Sequence, residues 1–182
     1  MNETHRQLAH VAAGTAVLVS VLTWGGQETL AALIALVCAG MAFATVKLLG
    51  FSLGPLEKLL ARFERAKATP FQGAITLMTG CLFALTFSPS IAFGLAAIAI
   101  LAFGDGAATL FGKGGRAPIP WNSNKTWRGS LAFCAIGGLA ALPFIGITAF
   151  GYAGVLALIE SIDLQVDDNI VIPVAAVLLK LV

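Results

Sequence analysis

Residues 68–104, ATPFQGAITLMTGCLFALTFSPSIAFGLAAIAILAFG, contain no charged side chain. An α-helix rises about 1.5 Å per residue and the hydrocarbon core of a bilayer is about 30 Å thick, so one span takes about 20 apolar residues. The run is long enough for two short spans, and Ser88, Pro89 and Ser90 interrupt it where a turn would join them. This stretch predicts a protein built from membrane-spanning helices.

The composition of the 182-residue chain agrees with that prediction. Hydrophobic residues make up 58% of it, charged residues 11%, and the mean hydropathy is +0.92. A soluble domain is only about half apolar. Further uncharged runs cover 11–27, 29–46 and 129–159, and the last could form one kinked helix or two short ones, since Pro143 and Gly146 interrupt it. We therefore predict an all-α, polytopic integral membrane bundle of about six or seven transmembrane or half-membrane helices.

The charges and cysteines exclude several classes of protein. The net charge of +2 and the absence of a basic stripe exclude a nucleic-acid partner. Three cysteines, all within apolar runs, do not form a disulfide framework and are predicted to pack as small hydrophobes. The first apolar run follows a polar N-terminus without an A-x-A-like cleavage site, which favours a retained span over a signal peptide.

The distribution of lysine and arginine predicts the orientation. Positive residues favour the cytoplasmic side of a membrane. With the N-terminus in the cytoplasm, ten of the eleven lysines and arginines lie on that side and Lys180 is the exception. The ten are Arg6, Lys47, Lys58, Arg62, Arg65, Lys67, Lys113, Arg116, Lys125 and Arg128. Residues 49–71 carry four of them with leucines at helical spacing, which indicates either an interfacial amphipathic helix or a solvated connecting helix.

Asp105 stands between two glycines at the end of the long apolar run. A carboxylate near lipid is costly unless a cation or hydrogen-bond donors neutralise it. Magnesium is one candidate, because it prefers carboxylate oxygens and substrate phosphates. An ion pair with a basic residue is the alternative, and the candidates are Lys113, Lys125 and Arg128.

A polar, glycine-rich segment follows Asp105. Its glycines would let backbone N–H groups approach a phosphate, and lysines and an arginine stand nearby. The segment is not a Walker A loop, because it lacks the G-x-x-x-x-G-K-[ST] string. A flexible loop with cytoplasmic positive charges would explain the composition nearly as well.

Two other groups of polar residues fall on the same predicted side. Four carboxylates, those of Glu160, Asp163, Asp167 and Asp168, lie within nine residues, where pairing with basic loops, metal binding or solvation would relieve their repulsion. A helix is expected to start just after Asp168. His10, one helical turn after Arg6, could orient a phosphate, act as a base or bind lipid or backbone at the interface.

Three strings together resemble the membrane-bound polyprenol kinase family, which includes dolichol kinase, phytol kinase and the CTP-dependent diacylglycerol kinase. They are GDGAATLFGK at 104–113, PWNSNKTWRGS at 120–130 and ESIDLQVDDNIVIP at 160–173. The head RQLAH at 6–10 is similar to the family's R-K-x-x-H start, with Gln7 where lysine is usual.

The resemblance implies that residues 1–182 form a single integral membrane catalytic domain. Such a domain would transfer a phosphoryl group from CTP, with UTP or ATP as other possible donors, to the hydroxyl of phytol, farnesol, a polyprenol or diacylglycerol, with Mg²⁺. It implies metal binding by Asp105 and Asp168. It implies catalytic roles for Asp105, Lys125, Glu160, Asp167 and His10, and nucleotide binding by Gly104, Gly106, Gly112, Lys113, Asn124, Lys125, Thr126, Arg128, Gly129, Ser130 and Asn169. The partners would be the lipid alcohol, the nucleotide and the bilayer, and the oligomeric state stays open.

Two other functions agree with parts of the sequence. The element NSNKTWRG at 122–129 also resembles the K-K-T-x-E-G element of phosphatidate cytidylyltransferases, which use the same nucleotide. Those enzymes carry a C-terminal G-H-G-G-x-x-D-R string, whereas this chain has DDNIVIP at 167–173. A non-catalytic membrane scaffold would explain the helices but not the concentration of acids and lysines on one side.

Overall fold

The computed structural model describes residues 3–52, 54, 69–162 and 164–181. Within them it has seven helices and a short antiparallel hairpin, which confirms the all-α membrane bundle. The helices are α1 (Glu3–Trp24), α2 (Gly26–Leu48), α3 (Gln72–Phe87), α4 (Ile91–Gly112), α5 (Trp127–Ile145), α6 (Thr148–Glu160) and α7 (Asp168–Leu181). The strands are β1 (Pro118–Ile119) and β2 (Asn122–Thr126).

Four of the described helices, α1, α2, α4 and α5, are long and apolar enough to cross a membrane, while α3 and α6 are shorter apolar helices. Helix α4 lies at the centre, with 78% of its most apolar stretch buried, and α2 lies outside, with only 11% buried. The outer face of α2 exposes Ile34, Leu36 and Met41. Large apolar side chains on such a face are stabilised by contact with lipid rather than water.

Each of the two interrupted apolar runs, 68–104 and 129–159, contributes to two helices that separate at the interrupting residues. Ser90 caps the start of α4, because its side chain accepts a hydrogen bond from the N–H of Phe93 at 3.2 Å. The run 129–159 forms two helices, α5 and α6, which resolves the alternative left open by the sequence. They part at Gly146, whose φ of 64° is readily reached only by a residue without Cβ, while Pro143 lies inside α5.

The first part of the glycine-rich segment is helical, whereas the sequence predicted a loop there. The apolar helix was expected to end at Asp105, but it passes through a π-helical segment, Ile100–Asp105, and continues to Gly112. Its first glycines are packing positions: a Cβ at Gly104 would lie 3.1 Å from the ring of Phe133, and one at Gly106 would lie 2.7 Å from Val11. The helix continues because neighbouring helices close on these positions and exclude any larger side chain.

The hairpin is a second difference, since the sequence contains no alternating strand pattern. Pro118 pairs with Thr126 and Ile119 with Asn122. Such a short, polar strand pair is not stable alone and depends on contacts with the bundle. Of the cysteines, Cys81 is buried and Cys134 half-buried as expected, but Cys38 is exposed on α2.

Some predictions lie outside the described residues. These are the charged and apolar residues of the amphipathic segment between 55 and 68, and Asp163. In the described parts, the start of α1, the hairpin, the end of α6 and the start of α7 come together at one end of the bundle, as predicted. That this end faces the cytoplasm stays a prediction.

Candidate active site

Three carboxylates converge at this end of the bundle. Asp105 ends the π-helical segment of α4, Glu160 is the last residue of α6, and Asp168 is the first residue of α7. One oxygen from each lies within 4.8 Å of the other two. The side chain of Glu160 is only 2% exposed and that of Asp105 only 13%. Such a concentration of negative charge away from water requires a cation.

Lys125, on strand β2, supplies a cation to two of the three acids. Its ammonium donates a hydrogen bond to Glu160 Oε1, and its Nζ lies 3.3 Å from Asp168 Oδ2. Burial lowers the pKa of Lys125, but the charges of Glu160, Asp168 and Asp105 and the hydrogen bond to Glu160 outweigh burial and raise this pKa above its ordinary value. Lys125 is therefore protonated at neutral pH.

Asp105 has a different neighbour. His10 Nε2, on α1, lies 3.7 Å from Asp105 Oδ2 and 3.4 Å from the carbonyl oxygen of Leu101. The sequence left open an ion pair of Asp105 with Lys113, Lys125 or Arg128. The structure instead places the side chain of His10 beside the Asp105 carboxylate. The π-helical segment that carries both Leu101 and Asp105 is of a kind often found at functional sites.

A cavity of about 280 Å³ opens beside Lys125 and Glu160. Its wall carries three cationic side chains, one carboxylate and several hydroxyl and backbone groups. The lining residues are Arg6, Ala108, Thr109, Gly112, Lys113, Asn124, Lys125, Thr126, Gly129, Ser130 and Glu160. The excess of positive charge makes the cavity suitable for an anion.

The start of helix α5 forms one wall of that cavity. Thr126 caps the helix by accepting a hydrogen bond from the N–H of Gly129 at 3.2 Å, and its own hydroxyl donates to the carbonyl oxygen of Gly112 at 3.3 Å. Ser130 Oγ is buried and has no hydrogen-bond partner among the described residues. The N-terminus of a helix attracts anions, and a hydroxyl lacking a partner there can donate to a bound ligand.

The hairpin is held over the carboxylates by two contacts with the end of α6. Trp121 Nε1 donates to Ser161 Oγ at 3.0 Å, and Asn122 Nδ2 donates to the carbonyl oxygen of Ser161 at 3.1 Å. Because Ser161 follows Glu160 directly, these bonds set the position of Lys125 relative to Glu160. All three residues lie within the strings that carry the resemblance, at 120–130 and 160–173, but none of them was assigned a role there.

Comparison with known proteins finds relatives that align with nearly the whole chain. An uncharacterized protein of Methanocaldococcus jannaschii is 29% identical over 175 residues, which cover 95% of this chain and 90% of the relative. A phytol kinase of a Synechocystis species is 27% identical over 195 residues, covering 97% of this chain and 78% of the relative. The chloroplastic farnesol kinase of Arabidopsis thaliana is 27% identical over 199 residues, covering 95% and 63%. Over nearly its whole length, this chain is therefore similar to proteins named phytol kinase and farnesol kinase.

The sequence resemblance to the polyprenol kinase family is thereby confirmed. The chain spans less than two thirds of the length of the Arabidopsis relative. No family model matches it, and no solved structure matches it.

The structure brings together many of the residues that the resemblance selected. Among those proposed to bind nucleotide, seven line the cavity, namely Gly112, Lys113, Asn124, Lys125, Thr126, Gly129 and Ser130. Glu160 lines it as well, and Asp105 and Asp168 complete the carboxylate cluster.

Other residues selected by the resemblance lie outside the cavity. Gly104, Gly106 and Arg128 are not among the residues that line the cavity: the two glycines are packed inside α4, and Arg128 is exposed elsewhere on the surface. Asp167 Oδ1 accepts a hydrogen bond from the N–H of Asn169 at 3.0 Å and so caps α7, whose first residue is Asp168 itself. The Asn169 side chain instead joins α7 to α3.

Arg6, Ala108 and Thr109 line the cavity but were not assigned to the site from sequence. Arg6 could have been found, because it stands four residues before His10 and therefore on the same face of α1. Ala108 and Thr109 could not, since only the continuation of α4 past Asp105 brings them to the cavity wall.

Proposed function

We propose that this protein is a lipid alcohol kinase, which transfers a phosphoryl group from a nucleoside triphosphate to the hydroxyl of an isoprenoid alcohol. The observation that carries the proposal is the cationic cavity beside three clustered carboxylates, in a chain whose homologues are named phytol kinase and farnesol kinase. Phosphoryl transfer needs positioned donors for the phosphates and a site for a divalent cation, and the cationic cavity and the adjacent carboxylates offer suitable groups for each.

The triphosphate is proposed to lie in the cavity. Arg6, Lys113 and Lys125 supply its counter-charges, and the start of α5 supplies the N-terminal end of a helix with the hydroxyl of Ser130. The donor is CTP by resemblance to the family, and UTP and ATP are the competitors to be tested against it. Asn124, also in the wall, can donate to a phosphate or to the nucleoside.

Asp105 and Asp168 are proposed to hold Mg²⁺. Carboxylate oxygens are its preferred protein ligands, with substrate phosphate completing the coordination. The oxygens of the cluster, within 4.8 Å of one another, fit a shared ion after small side-chain movements. The ion, when bound, neutralises charge on the phosphates being transferred.

In the transfer step, the hydroxyl oxygen of the alcohol forms a bond to the terminal phosphorus while the bond from that phosphorus to the bridging oxygen breaks. The nucleoside diphosphate leaves, and the hydroxyl proton passes to a carboxylate. Glu160 is the acid of the cluster that lines the cavity, so we assign the proton to it. His10 touches Asp105 and is assigned as a positioning residue.

The acceptor is proposed to enter from the membrane. The end of α4 exposes Leu110 and Phe111 next to the cavity-lining Thr109, and α5 exposes Leu131 next to the cavity-lining Ser130. An isoprenoid tail can lie against such apolar surface while its hydroxyl stays at the polar end of the bundle. The positive-inside distribution favours the cytoplasmic side for this end.

The test is transfer of label from γ-³²P CTP, with UTP and ATP in parallel, to phytol, farnesol, a longer polyprenol and diacylglycerol. The purified protein is assayed in detergent with Mg²⁺. Labelled lipid phosphate is the expected product. Label from α-³²P CTP entering lipid only when phosphatidate is supplied would instead identify a cytidylyltransferase. No transfer under either condition would contradict an enzymatic function.

A further inference from the structure

The position of Lys125 affects whether the carboxylate cluster binds a free divalent ion or one that is already bound to phosphate. Its ammonium contacts Glu160 and lies 3.3 Å from Asp168 Oδ2, while one oxygen of each of these acids lies within 4.8 Å of an Asp105 oxygen. The cation of Lys125 therefore stands among the oxygens that would bind a divalent ion. Two cations at such separations repel each other strongly where water is largely excluded.

The position of the ammonium, rather than the net charge of the described cluster, opposes a free divalent ion. Three ionised carboxylates carry three negative charges and Lys125 neutralises one of them, so the net charge of the cluster would still attract such an ion. A divalent ion arriving alone would have to displace the ammonium from Asp168 or bind against its charge. An ion arriving with a triphosphate brings additional negative charge, which attracts the ammonium away from the acids.

The cavity shows where the ammonium would go. Lys125 lines both the carboxylate cluster and the cavity that is proposed to bind the phosphates. Its side chain is 30% exposed, whereas its partner Glu160 is 2% exposed. Lysine is a flexible point charge, so the ammonium can leave Asp168 and contact a phosphate without movement of the hairpin.

We propose that Lys125 makes the carboxylate cluster selective for a divalent cation that arrives with a phosphate ligand, and disfavours the free ion. This inference rests on the proposed function, since it assumes the metal site and the nucleotide cavity. Lys125 thereby determines the order and form in which the site is filled, in addition to binding phosphate.

The test measures Mn²⁺ binding to the purified protein in detergent without nucleotide, by electron paramagnetic resonance of the free ion. Lys125→Met removes the charge and keeps most of the side-chain volume, so Mn²⁺ should bind about tenfold more tightly than to the wild type. Lys125→Arg keeps the charge and should bind Mn²⁺ as weakly as the wild type. Lys113→Met is the matched control, because Lys113 lines the same cavity and has no described contact with the acids.

Unchanged Mn²⁺ affinity in folded Lys125→Met would overturn the inference, and so would an equal gain in Lys113→Met. Should Lys125→Met fail to fold, wild-type protein is passed through a gel-filtration column with Mn²⁺, with and without β,γ-methylene CTP. Retention of Mn²⁺ only with the analogue is expected, and equal retention without it would contradict the inference.

The Mn²⁺ binding test and the phosphoryl transfer assay can fail independently of each other. A wild type that transfers phosphate while Lys125→Met gains no affinity leaves the kinase intact and removes the selectivity. A protein that transfers no phosphate and binds no Mn²⁺ in any variant removes both.

Discussion

His10 Nε2 lies 3.7 Å from Asp105 Oδ2, joining the first helix of the bundle to its central helix at the carboxylate cluster. The same nitrogen lies 3.4 Å from the carbonyl oxygen of Leu101, one turn earlier in the π-helical segment. We therefore propose that the imidazole orients the Asp105 carboxylate, which is proposed to bind the metal. Residues that orient metal ligands affect both metal affinity and activity.

Substitution of His10 tests this positioning role. His10→Ala should weaken Mn²⁺ binding and lower kcat by about 10-fold to 100-fold, the usual effect of losing a residue that orients a metal ligand. His10→Asn retains a hydrogen-bond donor and should recover part of the loss. Equal, complete loss of activity in both variants with unchanged Mn²⁺ affinity would instead indicate that His10 itself takes the proton.

Asp105→Asn should abolish most of the phosphoryl transfer, by about 100-fold or more, because the proposed metal loses a charged ligand. Mn²⁺ binding measured in the presence of β,γ-methylene CTP should fall as well. Glu28→Gln is the matched control, since Glu28 is an exposed carboxylate in the first turn of α2, outside the described cluster. A normal transfer rate in Asp105→Asn would remove Asp105 from the site.

Arg6→Gln should raise KM for the nucleotide by about tenfold, which is the loss expected for one charge-assisted hydrogen bond. The argument rests on Arg6 lining the cavity together with Lys113 and Lys125. Arg116→Gln serves as control, because Arg116 is exposed and is not among the residues that line the cavity. Titration with a fluorescent nucleotide separates binding from turnover. Equal effects of the two substitutions would show only a general loss of positive charge.

Gly80→Ala tests the packing that places Asp168. A Cβ at Gly80 of α3 would lie 1.9 Å from the carbonyl oxygen of Asn169 in α7, which is backbone and cannot move aside cheaply. The substitution should destabilise the protein by about 1–3 kcal/mol, seen as a lower Tm in detergent, and should also reduce activity. The helices would be forced apart at the residue next to Asp168.

Gly151→Ala is the control for that experiment. Gly151 is exposed on α6, and no atom lies within 4 Å of a Cβ built there. Replacing glycine by alanine within a helix raises stability by about 0.5–1 kcal/mol. A lower Tm for Gly151→Ala than for Gly80→Ala would contradict the packing argument.

Prediction from sequence was most successful where the physical signal is local. The long uncharged runs indicated membrane helices, and the interruptions at Ser88 to Ser90 and at Gly146 became turns, because turn residues act on the backbone next to them. The end of α4 was predicted wrongly, because it is decided by contacts with other helices rather than by local signals. Glycines at 104 and 106 usually weaken a helix, but here the rings and methyl groups of neighbouring helices occupy the space that larger side chains would need.

The sequence by itself determined the helical membrane architecture, the resemblance to lipid alcohol kinases, and most of the polar residues that line the cavity. Hydropathy and the order of the motifs can be read directly from the sequence, because neither depends on how the helices pack. Only the tertiary structure decided that Asp105 contacts His10, that Lys125 contacts Glu160 and Asp168, and that Arg6 reaches the cavity. These contacts depend on how helices distant in sequence pack against each other, and helix packing is set by the summed fit of many side chains rather than by any one segment.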